Sequence, residues 1–472
     1  VFSSIGEALR YVKDQQVAMV DLKIVGLPGQ WLHVTIPAGQ FTEKHFEEGV
    51  GYDGSAGSGF GRVESGDVNA LPLPETGFLD PFWDQPTLSF LCDTVTADTR
   101  EPFPSNPRTI ARRALAYLQS TGLADGAWMG PEYEFHLLDG VDFTDQPYEA
   151  GFKVRCGETQ SDGVTPPIPP MGGYLRVPPS EHFHNLRSEI ALTLQRLGIA
   201  VRYHHHEVGA PGQCEIEVKL LPLLQAADQA MLIKYVIKNV ARRHGKLATF
   251  MPKPVFCEAG NGMHVHQRLT QGGRPLFFDE NQGRYAHLSE LALHYIAGLL
   301  KHGQALTGLT NPSTNSFKRL VEGYEAPVNL FFSLANRSAA IRVPRYAVAP
   351  DEKRIEYRPP DFTGNVYLTL AAMLMAGIDG VRTELDPGPH NFGPFDVDVG
   401  TQSDEFRSKI AALPRTLRDA LVALEHDHEF LLAGDVFSSA FVHTWVAMKR
   451  NHDVRPVEVR PHPYEYQLYL DA

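Results

Sequence analysis

A chain of 472 residues is too long for one simple core and points to two domains, or to one large domain with an appendage. Hydrophobic residues make up 43%, ordinary for a globular protein, and a formal net charge of -13 argues against nucleic acid or an anionic membrane as partner. The four cysteines, Cys92, Cys156, Cys214 and Cys257, form no CxxC pair, so neither a zinc knuckle nor a disulfide framework is expected, and a reducing, cytoplasmic setting fits.

The opening segment "VFSSIGEALRYVKDQQ" reads as an amphipathic helix and lacks the long apolar run of a secretion signal. "VAMVDLKIVG" and "QWLHVTIPA" flank the turn signal "LPGQ" and predict a hairpin. A Gly-rich loop follows, then Pro-rich strand and turn material up to "SFLCDTV". "PFPSNP" breaks regular structure and marks a boundary, dividing the chain into 1–104 and 105–472. "RTIARRALAYLQSTG" predicts a helix stopped by Gly122. "VTPPIPPMGG" reads as a loop. "LPLLQAADQAMLIKYVIKNVARRHG" and "RYAHLSELALHYIAGLLKHG" have helical periodicity. "YLTLAAMLMAGIDGV" is too short for a confident membrane span and reads as a buried helix. The class is α+β.

Two patterns suggest chemistry. "GSGFGRV", Gly57 to Val63, resembles the glycine-rich loop of a protein kinase, but VAIK, HRD and DFG companions are missing, "DFTG" at Asp361 being the nearest. It reads better as a plain Gly-rich loop. The second pattern is broader. Acids and histidines alternate in "GPEYEF" (Glu132, Glu134), "HHHEVGAPGQCEIE" (Glu207, Glu215, Glu217), "GMHVHQ" (His264, His266) and "RIEYR" (Arg354, Glu356, Arg358). Alternate residues of a strand share a face. Any one stretch could be a solvated polar face, but four with apolar neighbours make a Glu-rich surface that repels itself unless cations neutralise it. Hard oxygen donors with one or two imidazoles favour Mg²⁺ or Mn²⁺ over zinc or copper. Arg319, Arg337, Arg342, Arg354 and Arg358 supply cations nearby in sequence, and divalent ions beside arginines suit phosphoryl transfer.

Together, "YDGS", "GPEYEF", "GGYLRVPP", "HHHEVGAPGQCEIE", "GNGMHVHQ", "NSFKRLVEGYEAPVN", "NRSAAIRVP" and "RIEYRPPD" resemble, in order and over nearly the whole chain, the type I glutamine synthetase family. The resemblance implies an N-terminal β-grasp domain and a catalytic domain with a curved antiparallel sheet. It also implies two stacked hexameric rings, with active sites between subunits. The implied reaction uses ATP to convert glutamate to γ-glutamyl phosphate, which ammonia attacks. One metal would be held by Glu134, Glu207 and Glu215 and a second by Glu132, His264 and Glu356. Arg337 and Arg342 would bind phosphates, and Arg354 would aid nucleotide binding and phosphoryl transfer. Arg319 would pair with the α-carboxylate of glutamate and Arg358 with its side-chain carboxylate or acyl phosphate. His266 and the backbone near Gly260 would border the nucleotide and glutamate subsites. Asp53 of a neighbouring subunit, Glu207 and a flap residue, Glu325, would handle ammonium beside Tyr174.

The chain departs from that pattern at three places. Ala56 follows "DGS" where Ser is usual, Ala259 stands where the glutamate loop has Asn, and Arg268 replaces a common Ser. These departures leave open a γ-glutamyl-amine ligase using a polyamine, ethanolamine or another amine. A catalytically silent relative is a further alternative. Phe395 is the nearest counterpart of a tyrosine that some type I enzymes adenylylate, and having no hydroxyl it is not expected to be modified.

Overall fold

The computed structural model describes residues 2–55, 66–281, 285–324 and 326–472. Six N-terminal strands are β1 (Met19–Val25), β2 (Trp31–Pro37), β3 (Val50–Asp53), β4 (Asp67–Pro72), β5 (Phe78–Asp80) and β6 (Thr87–Thr96). They form one sheet in the order β2-β1-β6-β4-β3, with β5 beside β6. The expected β1–β2 hairpin is present, with Met19 opposite Pro37 and Val25 opposite Trp31, whereas β1 and β6 run parallel. This is a β-grasp domain. Val20, Leu22, Leu88 and Phe90 pack with Ala8 and Val12 of the helix Ile5–Asp14 and with Phe41 and Phe46. Ser4 caps that helix by accepting from the Glu7 amide at 3.2 Å.

The alternate residues of β1 are buried too, although Asp21 and Lys23 are charged. That face meets the long helix Leu223–Arg243, whose Tyr235 ring lies 4.4 Å from the Lys23 ammonium and whose hydroxyl donates to Asp80 at 2.9 Å. Arg108, on the first turn of the helix Pro107–Thr121, reaches both Asp93 of β6 (2.8 Å) and Asp228 (3.0 Å). That helix ends at Gly122, which takes a left-handed φ of 72° after the last turn.

The remaining strands are β7 (Gly126–Pro131), β8 (Tyr133–Leu138), β9 (Gly140–Gln146), β10 (Glu149–Arg155), β11 (Val201–His206), β12 (Gln213–Val218), β13 (Leu221–Pro222), β14 (Leu247–Thr249), β15 (Val265–Gln271), β16 (Arg274–Pro275), β17 (Asn329–Leu334), β18 (Ala339–Val343) and β19 (Ile355–Tyr357). Among the described residues they build a seven-stranded sheet, β13-β7-β15-β19-β18-β17 with β16 on β15, a four-stranded sheet, β11-β12-β8-β14, and the separate hairpin β9–β10. Except for the parallel pair β17–β18, these pairings are antiparallel. The curved half-barrel has helices behind it. The expected apolar helix, Val366–Arg382, is buried along almost its whole length and packs in the main core with Tyr295 and Ile296 of the helix Glu290–Lys301. Asn365 caps it, accepting from the Tyr367 amide at 3.1 Å, while its own amide donates to the carbonyls of Gly26 and Leu27 at the β1–β2 turn. No helix among the described residues is long and apolar enough to cross a membrane.

Candidate active site

The carboxylates converge because the chain changes sheets at Glu132. β7 belongs to the seven-stranded sheet and ends at Pro131; β8 belongs to the four-stranded sheet and starts at Tyr133. Glu132 lies in the gap, its amide donating to the His264 carbonyl at 2.9 Å. Glu134 faces Glu215 across the β8–β12 pairing, and His266 faces Glu356 across β15–β19. Glu207 follows β11, its carboxylate accepting from the Val208 amide at 2.7 Å.

These side chains line a cavity of about 140 Å³. Its wall includes Glu132, Glu134, Glu207, Glu215, His264 and Glu356, together with Tyr174, Gly260, Arg319, Arg337, Arg342 and Arg358. His266 and Arg354 stand just behind it. His266 donates from Nε2 to Glu132 at 2.8 Å and accepts at Nδ1 from Arg354 Nε at 3.3 Å. His264 donates from Nδ1 to the other Glu132 oxygen at 2.9 Å. Asp53, at the end of β3, does not line this cavity, and its carboxylate accepts from the Ser55 amide at 2.8 Å. Glu325, Ala56 and the Gly57–Val63 loop lie outside the described residues.

The charges are unevenly matched. Burial pushes Glu132 upward, but hydrogen bonds from His264 and His266 outweigh it and hold the carboxyl well below its usual range. Burial and Glu132 also push Glu356 up, yet Arg358 and Arg342 prevail and bring it to about 2. Glu215 has no such relief. Burial and then repulsion from Glu132, Glu207 and Glu134 push it well above the ordinary carboxyl value. Glu217 is raised by burial and by Glu132 despite its ion pair with Arg202.

Among the described residues, three donor triads have ligand atoms within 4.8 Å of one another: Glu132–His266–Glu356, His205–Glu207–Glu215 and Glu132–Glu215–Glu217. The groupings expected from the sequence place Glu134 in the first set and His264 in the second. Here Glu134 accepts from the Gly262 amide at 2.6 Å and His264 Nε2 meets Arg319 at 3.3 Å, so both are engaged by the 257–263 loop or its neighbour. A hard-oxygen set in which one carboxylate is forced up by its fellows fits divalent cations.

The loop before β15 explains its own glycines. A Cβ on Gly260 would come within 2.2 Å of the Pro252 carbonyl, and one on Gly262 within 2.3 Å of the Arg319 guanidinium. The close approaches the structure records are therefore to the Pro252 carbonyl and to Arg319. That guanidinium is buried and donates to the carbonyls of Pro359 (2.8 Å), Arg358 (3.2 Å) and Pro360 (3.3 Å). Asn261 does not take the place of the side chain absent at Ala259. It turns inward, accepting from His136 at 2.9 Å and donating to the Met251 carbonyl at 2.9 Å, while Ala259 stays on the cavity wall.

Sequence reasoning missed His205, Tyr203, Gln213, Tyr324 and Tyr346, which all line the cavity. The alternation Tyr203–His205–Glu207 was a usable signal for the first two, and His205 stacks edge-on with Tyr174 at 5.6 Å. Gln213 likewise alternates with Glu215 along β12, whereas Tyr324 and Tyr346 come from loops and carry no local signature.

Residues 16–97 match the family described as "Glutamine synthetase, beta-Grasp domain", and residues 104–469 match "Glutamine synthetase, catalytic domain". The chain is 43% identical over 474 residues to a glutamine synthetase of Microchaete diplosiphon, covering 99% of both chains. It is 44% identical over 484 residues to one of Frankia alni, covering 100% of both. Among solved structures, a Plasmodium falciparum glutamine synthetase matches with a TM-score of 0.88 at 26% identity, covering 99% of each chain. A GmaS/ADP complex matches with a TM-score of 0.82 at 28% identity, covering 98% of this chain and 99% of that one. Full-length kinship of this kind, with the carboxylate cavity at the junction of the two sheets, makes the chain a member of the glutamine synthetase family.

Proposed function

We propose that this chain is an ATP-dependent ligase that joins L-glutamate to ammonia, giving L-glutamine, ADP and phosphate. The observation that carries the reading is one cavity walled by five glutamates, the histidines His205 and His264, and the arginines Arg319, Arg337, Arg342 and Arg358. We read the chain as two domains, 1–104 and 105–472, acting in the cytoplasm.

Glu134, Glu207 and Glu215 would hold one Mg²⁺ or Mn²⁺, and Glu132, His264 and Glu356 a second. Such ions supply charge neutralisation between ATP phosphates and the carboxylate acceptor. The protein's own groups do the rest. Arg319, fixed by three backbone carbonyls, presents a rigid donor edge to the α-carboxylate of glutamate. Arg337 and Arg342 bind phosphates, with Arg354 steadied by His266 and by the Tyr346 ring at 5.3 Å. A side-chain oxygen of glutamate takes the γ-phosphoryl group as ADP leaves, and Arg358 meets the resulting acyl phosphate. Ammonium loses a proton to a carboxylate among Asp53, Glu207 and Glu325, next to Tyr174, and attacks the acyl carbon, releasing phosphate. Gly260 borders the glutamate subsite and His266 the nucleotide.

Asp53 belongs to another subunit's site in this reading, and it does not line its own chain's cavity. That requires an oligomer, and we propose a dodecamer of two stacked hexameric rings. Phe395, packed against Phe331 and Phe406, offers no hydroxyl for adenylylation.

A second reading is favoured by Ala259 alone, which leaves the cavity wall short of a polar side chain: a γ-glutamyl-amine ligase of the same mechanism. Phosphate release with glutamate, ATP and an amine panel, in Mg²⁺ and in Mn²⁺, separates the two. Ammonium is expected to give the fastest turnover. Faster turnover with ethanolamine or a polyamine selects the second reading, and none with any amine makes the chain a silent relative.

A further inference from the structure

Strand β11 and the residue after it present Tyr203, His205 and Glu207 to the cavity at alternate positions, which turns His206 to the reverse face. There His206 meets Glu158, and both side chains are sealed from solvent. The ring lies between two acceptors. Its Nδ1 donates to the Glu207 carbonyl at 2.6 Å and its Nε2 to the Glu158 carboxylate at 3.1 Å. The second Glu158 oxygen accepts from the His182 amide at 2.7 Å. Neither His206 nor Glu158 lines the cavity.

The same ring is the seat of the loop that carries Tyr174. A Cβ on Gly173 would come within 2.5 Å of the His206 ring and 2.4 Å of the Glu207 carbonyl oxygen, so the loop backbone rests directly on both. The Gly173 amide donates to the Val208 carbonyl at 3.0 Å and the Leu175 amide to the His206 carbonyl at 3.0 Å, fastening the loop on either side of Tyr174. Glu258 ties the start of the loop to the turn after Glu207, accepting from the Met171 and Ala210 amides at 3.0 Å each. On the strand side, the Glu207 amide donates to the Gln213 carbonyl at 2.8 Å. Glu207 and Tyr174 are therefore both placed by reference to one buried imidazole.

A fully buried ion pair adds little net stability compared with apolar side chains of the same size; what it supplies is a fixed geometry. We propose that His206 and Glu158 are positioning residues for the amine end of the cavity: His206 holds Glu207 from behind and seats Gly173, and with it Tyr174, while Glu158 fixes the ring. This rests on the ligase reading above and deepens it, since Glu207 and Tyr174 are the groups that meet ammonium there. Neither His206 nor Glu158 touches substrate. Both act through Glu207 and the Tyr174 loop, as groups standing behind a ligand residue do in other metal sites.

The test is steady-state kinetics with ammonium, glutamate and ATP, together with equilibrium Mn²⁺ binding, on the full chain in wild type, His206→Leu, Glu158→Ala and Glu158→Gln. His206→Leu and Glu158→Ala are expected to raise KM for ammonium about tenfold and to weaken Mn²⁺ binding, with KM for ATP near wild type. Glu158→Gln keeps the geometry without the charge: its carbonyl oxygen can accept from the His182 amide and its NH₂ can donate to a neutral His206 ring that still holds the Glu207 carbonyl. It should therefore restore most of the ammonium KM, a rescue that simple loss of packing would not show. An unchanged ammonium KM in His206→Leu overturns the assignment, as does an equal rise in the KM for ATP. Should His206→Leu and Glu158→Ala fail to fold, Gly173→Ala pushes the loop off the ring and should raise the ammonium KM alone; wild-type kinetics in that variant overturn the assignment instead. Wild-type protein that turns over ammonium while the variants keep its KM removes only the role of His206 and Glu158. Wild-type protein that releases phosphate with no amine removes the ligase reading, and this assignment with it.

Discussion

Two regions of this molecule bury charge, and they do it in opposite ways. Beneath the β-grasp sheet, the Lys23 ammonium lies 2.9 Å from Asp21 and 3.4 Å from Asp80. Asp21 also accepts from Thr35 at 2.7 Å and meets His33 at 2.6 Å; Asp80 accepts from Tyr235 at 2.9 Å. Burial would raise Asp21, but Lys23, His33 and Thr35 together hold it below its ordinary value. Every charge there has its partner inside the protein. In the cavity, carboxylates outnumber the cations that touch them, and Glu215 is pushed up by three neighbours of its own sign. A saturated network acts as an internal joint, and an unsaturated one demands a ligand from outside.

The sharpest way to break that contrast is to remove one charge from each region. Glu215→Gln relieves repulsion, so in the presence of a chelator its urea midpoint should equal or exceed that of wild type. Its turnover should nevertheless fall roughly 10³-fold, as when one charge-stabilising group is lost from a reacting centre. Paired denaturation and phosphate-release curves read both, and a chelated variant less stable than wild type would mean that the cavity carboxylates also hold the fold together. Lys23→Met does the reverse: it strands Asp21 and Asp80 and should cost about 3 kcal/mol of stability, while turnover per folded molecule stays close to wild type. A loss under half that size would show that the joint is weaker than its geometry implies.

A third buried network extends the comparison to pH. His302 lies between Asp379 (2.8 Å) and Asp427 (2.8 Å), stacked on Phe430. Burial alone would lower it, but the two carboxylates win and raise it above its ordinary 6.5. A raised folded value means the stabilisation is complete below 6.5 and is lost as pH climbs through the folded value. Asp379 is the mirror case, held near 2 by His302 and Lys301, so its share fades only as acid approaches that value. His302→Gln should therefore cost about 1 kcal/mol at about pH 6 and less at about pH 9. Urea midpoints at the two pH values check this, and a gap that widens in alkali contradicts it.

Much of the fold was legible in periodicity. The β1–β2 hairpin, the Pro107–Thr121 helix with its Gly122 stop, and the apolar helix Val366–Arg382 all follow local rules. The cluster was legible as alternation, since strands carry acids and histidines every second residue. What alternation could not convey is that "GPEYEF" spans a break between two sheets, because that depends on how β7 and β8 find partners far along the chain, such as Glu215 opposite Glu134 and His266 opposite Gly130. Nor could it tell that Asn261 turns toward His136, or that Gly262 makes room for Arg319. Those are contacts between segments remote in sequence, and local spacing has no access to them.

Asn365 carries a mechanical consequence. Its oxygen starts the most deeply buried helix of the molecule, and its amide grips the β1–β2 turn through the Gly26 and Leu27 carbonyls. One side chain therefore works as a rivet through two plates. A load or thermal fluctuation that lifts the turn also loosens the first turn of the helix behind the catalytic sheet, and tightening either end stiffens the other. The β1–β2 turn of the β-grasp domain and the start of the helix Val366–Arg382 are in this way held to one another by a single side chain.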